Sequence, residues 1–159
     1  MGVAAAAAGA VTAVATMALW KMLTGSSSQN SDKATWPNSA KRAEELVAVI
    51  GDVGGTNVRL TLRKLNLRTR TSTEIKPLTK ISSQNVNSFS AALAEFLAEF
   101  ERGSENWPTV GAVGIAGEVK NNVVSTTNIP HWPRTDGKAI AQEFGMESFE
   151  LVNDFVAAG

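Results

Sequence analysis

Between two apolar runs the chain reads Val49-Ile50-Gly51-Asp52-Val53-Gly54-Gly55-Thr56-Asn57-Val58-Arg59-Leu60, a strand followed at once by a glycine-rich reversal. Leu46 to Ile50 is short and apolar, as a buried strand requires. Asn57 to Arg63 alternates, with Val58, Leu60 and Leu62 on one side and Asn57, Arg59, Thr61 and Arg63 on the other. That period of two belongs to a half-buried strand. A hairpin needs only about two turn residues. Here one carboxylate, three glycines, a threonine and an asparagine are gathered, and the excess needs a reason. Glycine lets a backbone take positive φ or approach another group closely. Successive N–H groups in such a turn form an anion-binding concavity. A carboxylate, Asp52, beside a phosphate cradle is repelled unless a divalent cation lies between them. The pattern therefore suggests a nucleoside triphosphate with Mg²⁺. It is not the GxxxxGK(S/T) loop, since no lysine follows, and its spacing is not GxGxxG. On these residues alone an ordinary glycine hairpin stays open as the alternative.

The rest of the chain reads as an α/β order with hairpins at its front. Thr71 to Leu78 is a third strand, weakened by Pro77 inside it. Arg63, Lys64, Arg68 and Arg70 surround the hairpin before it. With no aromatics interleaved they form a solvated turn, not a nucleic-acid patch. Phe89, Leu93, Phe96, Leu97 and Phe100 make an amphipathic helix stripe of core residues, with Asn87 or Ser88 able to cap its start and Gly103 able to end it. Val110 to Ile115 and Val123 to Ser125 are strands, Lys138 to Phe144 is a short helix behind Asp136, and Phe149 to Val152 is the last strand. After it, Asn153-Asp154 is a natural helix N-cap. A carboxylate there also lies where α/β sheets bind ligands, at the C-terminal end of a strand. Asp52 and Asp154 could then serve one phosphoryl transfer, the first holding a metal and the second taking a proton from an attacking hydroxyl.

Composition narrows the chemistry. The chain has 159 residues, room for one domain with a sizeable core. Fifteen basic and fifteen acidic residues balance, which removes any argument for a polyanionic partner. Cysteine is absent, so no disulfide framework, thiolate nucleophile or Cys-ligated metal is available. With His131 alone, a metal has to be a hard cation on oxygen ligands. Residues 1–31 hold no acid and one lysine, Lys21, and Val3 to Trp20 is uncharged and alanine-rich. That stretch is nearly long enough to span a bilayer, but alanine is only weakly hydrophobic. A membrane anchor, an organelle transit peptide and a low-complexity extension all fit it. We divide the chain into an Ala-rich segment (1–24), a polar linker (25–45) and a domain (46–159). An anchor would place the domain on the cytoplasmic face of a membrane or in an organelle, with possible membrane contact through residues 3–20; otherwise it is cytoplasmic. Oligomeric state has no sequence signal.

"GDVGGTNVRL" resembles the first phosphate motif of the sugar kinases in the hexokinase, actin and heat-shock ATPase superfamily. Together with "TTNIPHWP" (Thr126 to Pro133) and "LVNDFVAAG" it is similar to the bacterial-type glucokinase family, in that family's order, across Leu46 to Gly159. The first motif is shared with related kinases; the set of three is specific. The resemblance implies a ribonuclease-H-like (actin-like ATPase) α/β small domain, incomplete relative to a two-domain family whose second domain carries the other phosphate motif and the adenosine pocket. It also implies ATP-dependent phosphorylation of D-glucose at the 6-hydroxyl, with ATP and glucose as partners and Mg²⁺ as cofactor. By that resemblance the backbone of Gly51, Asp52, Val53, Gly54, Gly55 and Thr56 holds the phosphates, with Asp52 near Mg²⁺. Asp154 is the general base, Asn153 hydrogen-bonds the sugar, and Asn128 matches an asparagine at the sugar cleft. Trp132 either shapes that cleft or is packed core, and His131 is incidental. The family's proline after the "AG" following Val110 to Ile115 is replaced here, where the chain reads Ala116-Gly117-Glu118. The expectation is the N-terminal portion of a glucokinase, with little turnover if these residues are the entire polypeptide. A non-catalytic sugar- or ATP-binding remnant is the alternative. A heat-shock-like or actin-like ATPase gives no reason for the Asn-Asp-Phe and Asn-Ile-Pro segments.

Overall fold

A computed structural model describes residues 44–153. The Ala-rich segment, the candidate membrane contact at residues 3–20 and nearly all of the linker lie outside them. No helix among the described residues is long and apolar enough to cross a membrane. In chain order the elements are β1 (Glu45–Val53), β2 (Asn57–Asn66), β3 (Thr71–Ser82), α1 (Phe89–Leu97), β4 (Val110–Ile115), β5 (Val119–Lys120), β6 (Val123–Val124), β7 (Thr135–Asp136), α2 (Gly137–Phe144) and β8 (Ser148–Asn153). Five strands form one sheet in the order β3-β2-β1-β4-β8, and β5, β6 and β7 form a small second sheet.

β1 is the pivot. It pairs antiparallel with β2 on one side and parallel with β4 on the other, and β4 pairs parallel with β8. Parallel pairs need crossovers. α1 lies in the first, and α2 with the small sheet in the second. The result is the mixed α/β sheet of a ribonuclease-H-like small domain. Parallel alignment also brings three C-terminal strand ends into one row, with Val53 opposite Ile115 and Ile115 opposite Asn153.

The main core lies on one face. Val47, Val49 and Val53 of β1 join Val58, Leu60 and Leu62 of β2 and Phe149 and Leu151 of β8 in one buried cluster with Phe89, Leu93, Phe96 and Leu97 of α1 and Ile140 and Phe144 of α2. Phe89 and Phe149 meet at 5.5 Å between ring centroids. Each such fully buried side chain contributes about 1.5–3 kcal/mol. The other face carries a smaller buried set, Ala48, Ile50, Leu65, Val110 and Ala112.

Several boundaries differ from the sequence reading. β1 does not stop at Ile50 but continues to Val53, because Gly51, Asp52 and Val53 stay in register with Leu60, Arg59 and Val58. Gly51 makes this possible by close approach: a Cβ there would lie 1.9 Å from the Arg59 carbonyl oxygen. β3 runs through Pro77 to Ser82, which a strand at the sheet's edge tolerates. Leu60 pairs with Thr79 and Leu62 with Lys76, so Pro77 and Leu78 bulge out of the ladder. The Thr61 hydroxyl donates to the Lys76 carbonyl at 2.8 Å across that gap.

α1 starts as one of the two expected caps allows, with Ser88 Oγ accepting from Ala91 N–H. It ends at Ala98 rather than near Gly103, and Phe100 reaches the core from a turn. Lys76 supplies the missing partner for the helix end, donating to the Phe96 carbonyl at 2.8 Å while lying 3.1 Å from Glu99. α2 is framed by Asp136, which accepts from Lys138 N–H and Ala139 N–H, and by Gly145 in the left-handed region at φ 66°. β5 and β7, two residues each, have no counterpart in the sequence reading.

Candidate functional site

The site is built on the turn between β1 and β2, where β1, β4 and β8 all end. Because β1 extends to Val53, the reversal itself is only Gly54, Gly55 and Thr56. None of Gly51, Gly54 and Gly55 takes positive φ, so of the two glycine properties that the sequence reading invoked only close approach is used, at Gly51. Gly54 N–H closes it by donating to the Asn57 carbonyl at 2.9 Å.

The three carbonyls of the turn are gripped from one side. Ser83 Oγ donates to Gly54 O at 2.9 Å, Gln84 Nε2 to Gly55 O at 3.0 Å, and Ser83 N–H to Thr56 O at 2.9 Å. A trans peptide unit is planar, with its C=O and N–H pointing in opposite directions. Holding Gly54 O therefore aims Gly55 N–H away from Ser83, and holding Gly55 O aims Thr56 N–H away from Gln84. Neither of these two N–H groups makes a hydrogen bond among the described residues. Two adjacent donors, fixed in direction, form the start of an anion site.

Asp52 stands two residues earlier, inside β1, on the face of Ala48 and Ile50. It is 8% exposed, with Arg59 Nη1 3.6 Å from its Oδ2. Among the described residues no three His, Asp or Glu side chains cluster to hold a metal. Mg²⁺ commonly uses one or two carboxylates together with phosphate oxygens, and a nearly buried carboxylate two residues before the turn is the right type of donor for that set.

Asn128 comes to the same turn from 73 positions later. A Cβ on Gly55 would lie 3.4 Å from Asn128 Cβ, and the neighbouring Ile129 anchors the segment at 1% exposure. Asn153 closes the row of strand ends. Its Nδ2 donates to the carbonyl of Gly117. Gly117, in the turn after β4, has φ +130°, a conformation that suits glycine. Two strand spacings, roughly 10 Å, separate Asn153 from the end of β1. Asp154 follows Asn153 and lies outside the described residues.

Four further residues bear on the site: two the sequence reading did not single out, one it set aside as incidental and one it read as either cleft or core. Ser83 and Gln84 grip the turn; a short polar run after a strand, Ser82-Ser83-Gln84-Asn85, is the only local signal for them. His131, read as incidental, has Nε2 3.2 Å from Ser83 O and 3.1 Å from Val86 O. Trp132 is packed core at 7% exposure, and its Nε1–H donates to those same carbonyls at 3.2 and 2.9 Å.

Comparison with known proteins adds a second line. A family model described as glucokinase matches residues 49–159. The chain is similar to the glucokinase of Nitrobacter hamburgensis, 33% identical over 109 residues, covering 69% of this chain and 31% of the relative. It is likewise similar to the glucokinase of Chromohalobacter salexigens, 33% identical over 110 residues, with 69% and 31% covered. Among solved structures it resembles a glucokinase from an Antarctic psychrotroph, with a TM-score of 0.57 and 22% identity over 72% of this chain and 33% of that one. At that identity the structural likeness speaks to the fold. The chain spans about a third of the length of the curated relatives it matches.

Proposed function

The chain belongs to the glucokinase family, and on that footing we propose that it supplies the phosphate- and sugar-binding side of an ATP-dependent transfer to the 6-hydroxyl of D-glucose. The observation that carries this reading is the pair of N–H groups of Gly55 and Thr56, aimed away from Ser83 and Gln84 in the turn that follows Asp52, with Asn128 packed against Gly55. Phosphoryl transfer leaves a protein little covalent chemistry to do; positioning and charge stabilisation do most of the work.

In this reading Gly55 and Thr56 donate to phosphate oxygens of ATP, and Asp52 is the carboxylate that would hold Mg²⁺. When bound, that cation neutralises charge on the phosphates. Asn128 and Asn153 orient the sugar by hydrogen bonds to its hydroxyls. Asp154 accepts the proton of the 6-hydroxyl as its oxygen bonds to the γ-phosphorus and the bond to the bridging oxygen breaks, giving ADP and glucose 6-phosphate. Strong basicity is not required of Asp154, because proton transfer is late in a loose transition state and orientation matters more.

The test is Asp154→Ala in the protein that carries this sequence, with glucose-dependent ADP formation as readout. General-base removal is expected to lower kcat by about 10²–10⁴ while leaving MgATP binding in place. Turnover at the unmodified rate overturns the assignment.

A further inference from the structure

We propose that His131 and Trp132 are positioning residues that hold the Gly54–Thr56 turn in its anion-binding geometry from the segment that carries Asn128. The proposal deepens the functional reading above, on which it rests for what the turn binds.

Two layers of hydrogen bonds, with Ser83 between them, connect the two segments. In the outer layer, two ring N–H groups from consecutive residues converge on the same pair of carbonyls, Ser83 O and Val86 O. Carbonyls only accept, so His131 has to carry its proton on Nε2 to take part. The rings lie 81° apart in plane, so the donors approach from different directions. Between the layers sits Ser83, at 0% exposure. In the inner layer the hydroxyl and N–H of Ser83 reach Gly54 O and Thr56 O, both at 2.9 Å.

Ser83 is thus held at three atoms, two facing the turn and one facing His131 and Trp132. If the outer donors are removed, Ser83 is free to shift, the grip on the turn's carbonyls slackens, and the peptide planes carrying Gly55 N–H and Thr56 N–H rotate out of aim. A packed tryptophan needs some partner for its N–H wherever it lies. His131 has no such need: it is exposed, yet its ring nitrogen goes to the same acceptors. Because Asn128 is three residues from His131, a ligand that orders Asn128 also orders this grip. Glucose and MgATP then favour each other's binding without touching through a shared side chain.

The test uses the ¹⁵N-labelled protein that carries this sequence, with His131→Phe, His131→Gln, Trp132→Phe and the His131→Phe/Trp132→Phe double variant. The N–H groups of Ser83 and Gly54, donors to Thr56 O and Asn57 O, report the grip through hydrogen exchange. We expect His131→Phe and Trp132→Phe each to accelerate both by about tenfold, the scale of one lost hydrogen bond, with the β1 amides of Val49 and Ile50 unchanged. His131→Gln, which keeps a donor nitrogen at similar reach, should restore the native rates. A MgATP titration read at Gly55 and Thr56 should weaken about fivefold in His131→Phe and recover in His131→Gln. Unchanged exchange at Ser83 and Gly54 in the double variant overturns the proposal, as does equal acceleration throughout β1, which means general destabilisation. A wild-type chain whose Gly55 and Thr56 signals ignore MgATP, while exchange responds as expected, overturns the phosphate reading and sustains the positioning link.

Discussion

Asp52 and Arg59 face each other across β1 and β2, one pair of the strand register, with Arg59 Nη1 3.6 Å from Asp52 Oδ2. The carboxylate side chain is 12% exposed and the guanidinium 40%, so a nearly buried charge leans on a partly solvated one. Arg59→Ala should cost about 1–2 kcal/mol in urea denaturation, below the figure for a fully buried pair because water screens the arginine. Arg59→Lys should recover part of the loss. A neutral result for Arg59→Ala would mean that other contacts of Asp52 carry its charge.

The glycines of the motif separate into two kinds. Gly51→Ala forces a Cβ to 1.9 Å from backbone, and the β1–β2 ladder has to part. The expected cost is about 3 kcal/mol or more, at the upper end of overpacking effects. At Gly54 and Gly55 the closest atoms to an added Cβ stand at 3.4 Å, ordinary contact. Gly55→Ala should change stability by less than about 1 kcal/mol and still weaken MgATP binding by shielding the outward N–H. Thermal melts alongside a nucleotide titration distinguish the two kinds.

Ser83→Ala removes one donor to the turn and leaves the half-buried Gly54 carbonyl short of a partner. We expect about 1–2 kcal/mol of destabilisation, with loss of the MgATP-induced amide shifts at Gly55 and Thr56. Gln84→Ala, at an exposed site, should be milder in both respects.

Glu150 provides a pH prediction. Its burial pushes the carboxyl above the ordinary value of 4.5, and Lys138 pulls partly back. An acid whose folded pKa is raised binds its proton more tightly in the folded chain, so stability falls as pH rises from the ordinary value through the raised one. The penalty is fully present above that window and absent below it. Glu150→Gln should therefore raise Tm at neutral pH and bring no gain below the ordinary carboxylate range; a gain that is equal at both ends would refute this origin.

Much of the fold is legible in the residues. Alternation in Asn57–Arg63, the Phe89–Leu97 stripe, Asp136 ahead of its helix and the apolar run at Val110 each mark an element through local physics that tertiary contacts leave intact. Gly51 and Asp52 read as turn because their own propensities say so, and pairing with Leu60 and Arg59 overrides them. β5 and β7 are too short to carry a period. The site is half legible. A glycine turn and a distant asparagine can be suspected from composition and likeness, but the grip of Ser83 and Gln84 on three backbone carbonyls uses acceptors that every residue has. Such bonds leave almost no trace in a sequence.

The bulge at Pro77 bears on how this domain behaves among its own copies. An outer strand of twelve residues would normally offer a long row of backbone groups for another chain to join. Pro77 interrupts the donors, Leu78 is pushed out of line, and Glu74 and Lys80 put charge along the same border. Among the described residues this outer border is thereby a poor template for a further strand to pair with.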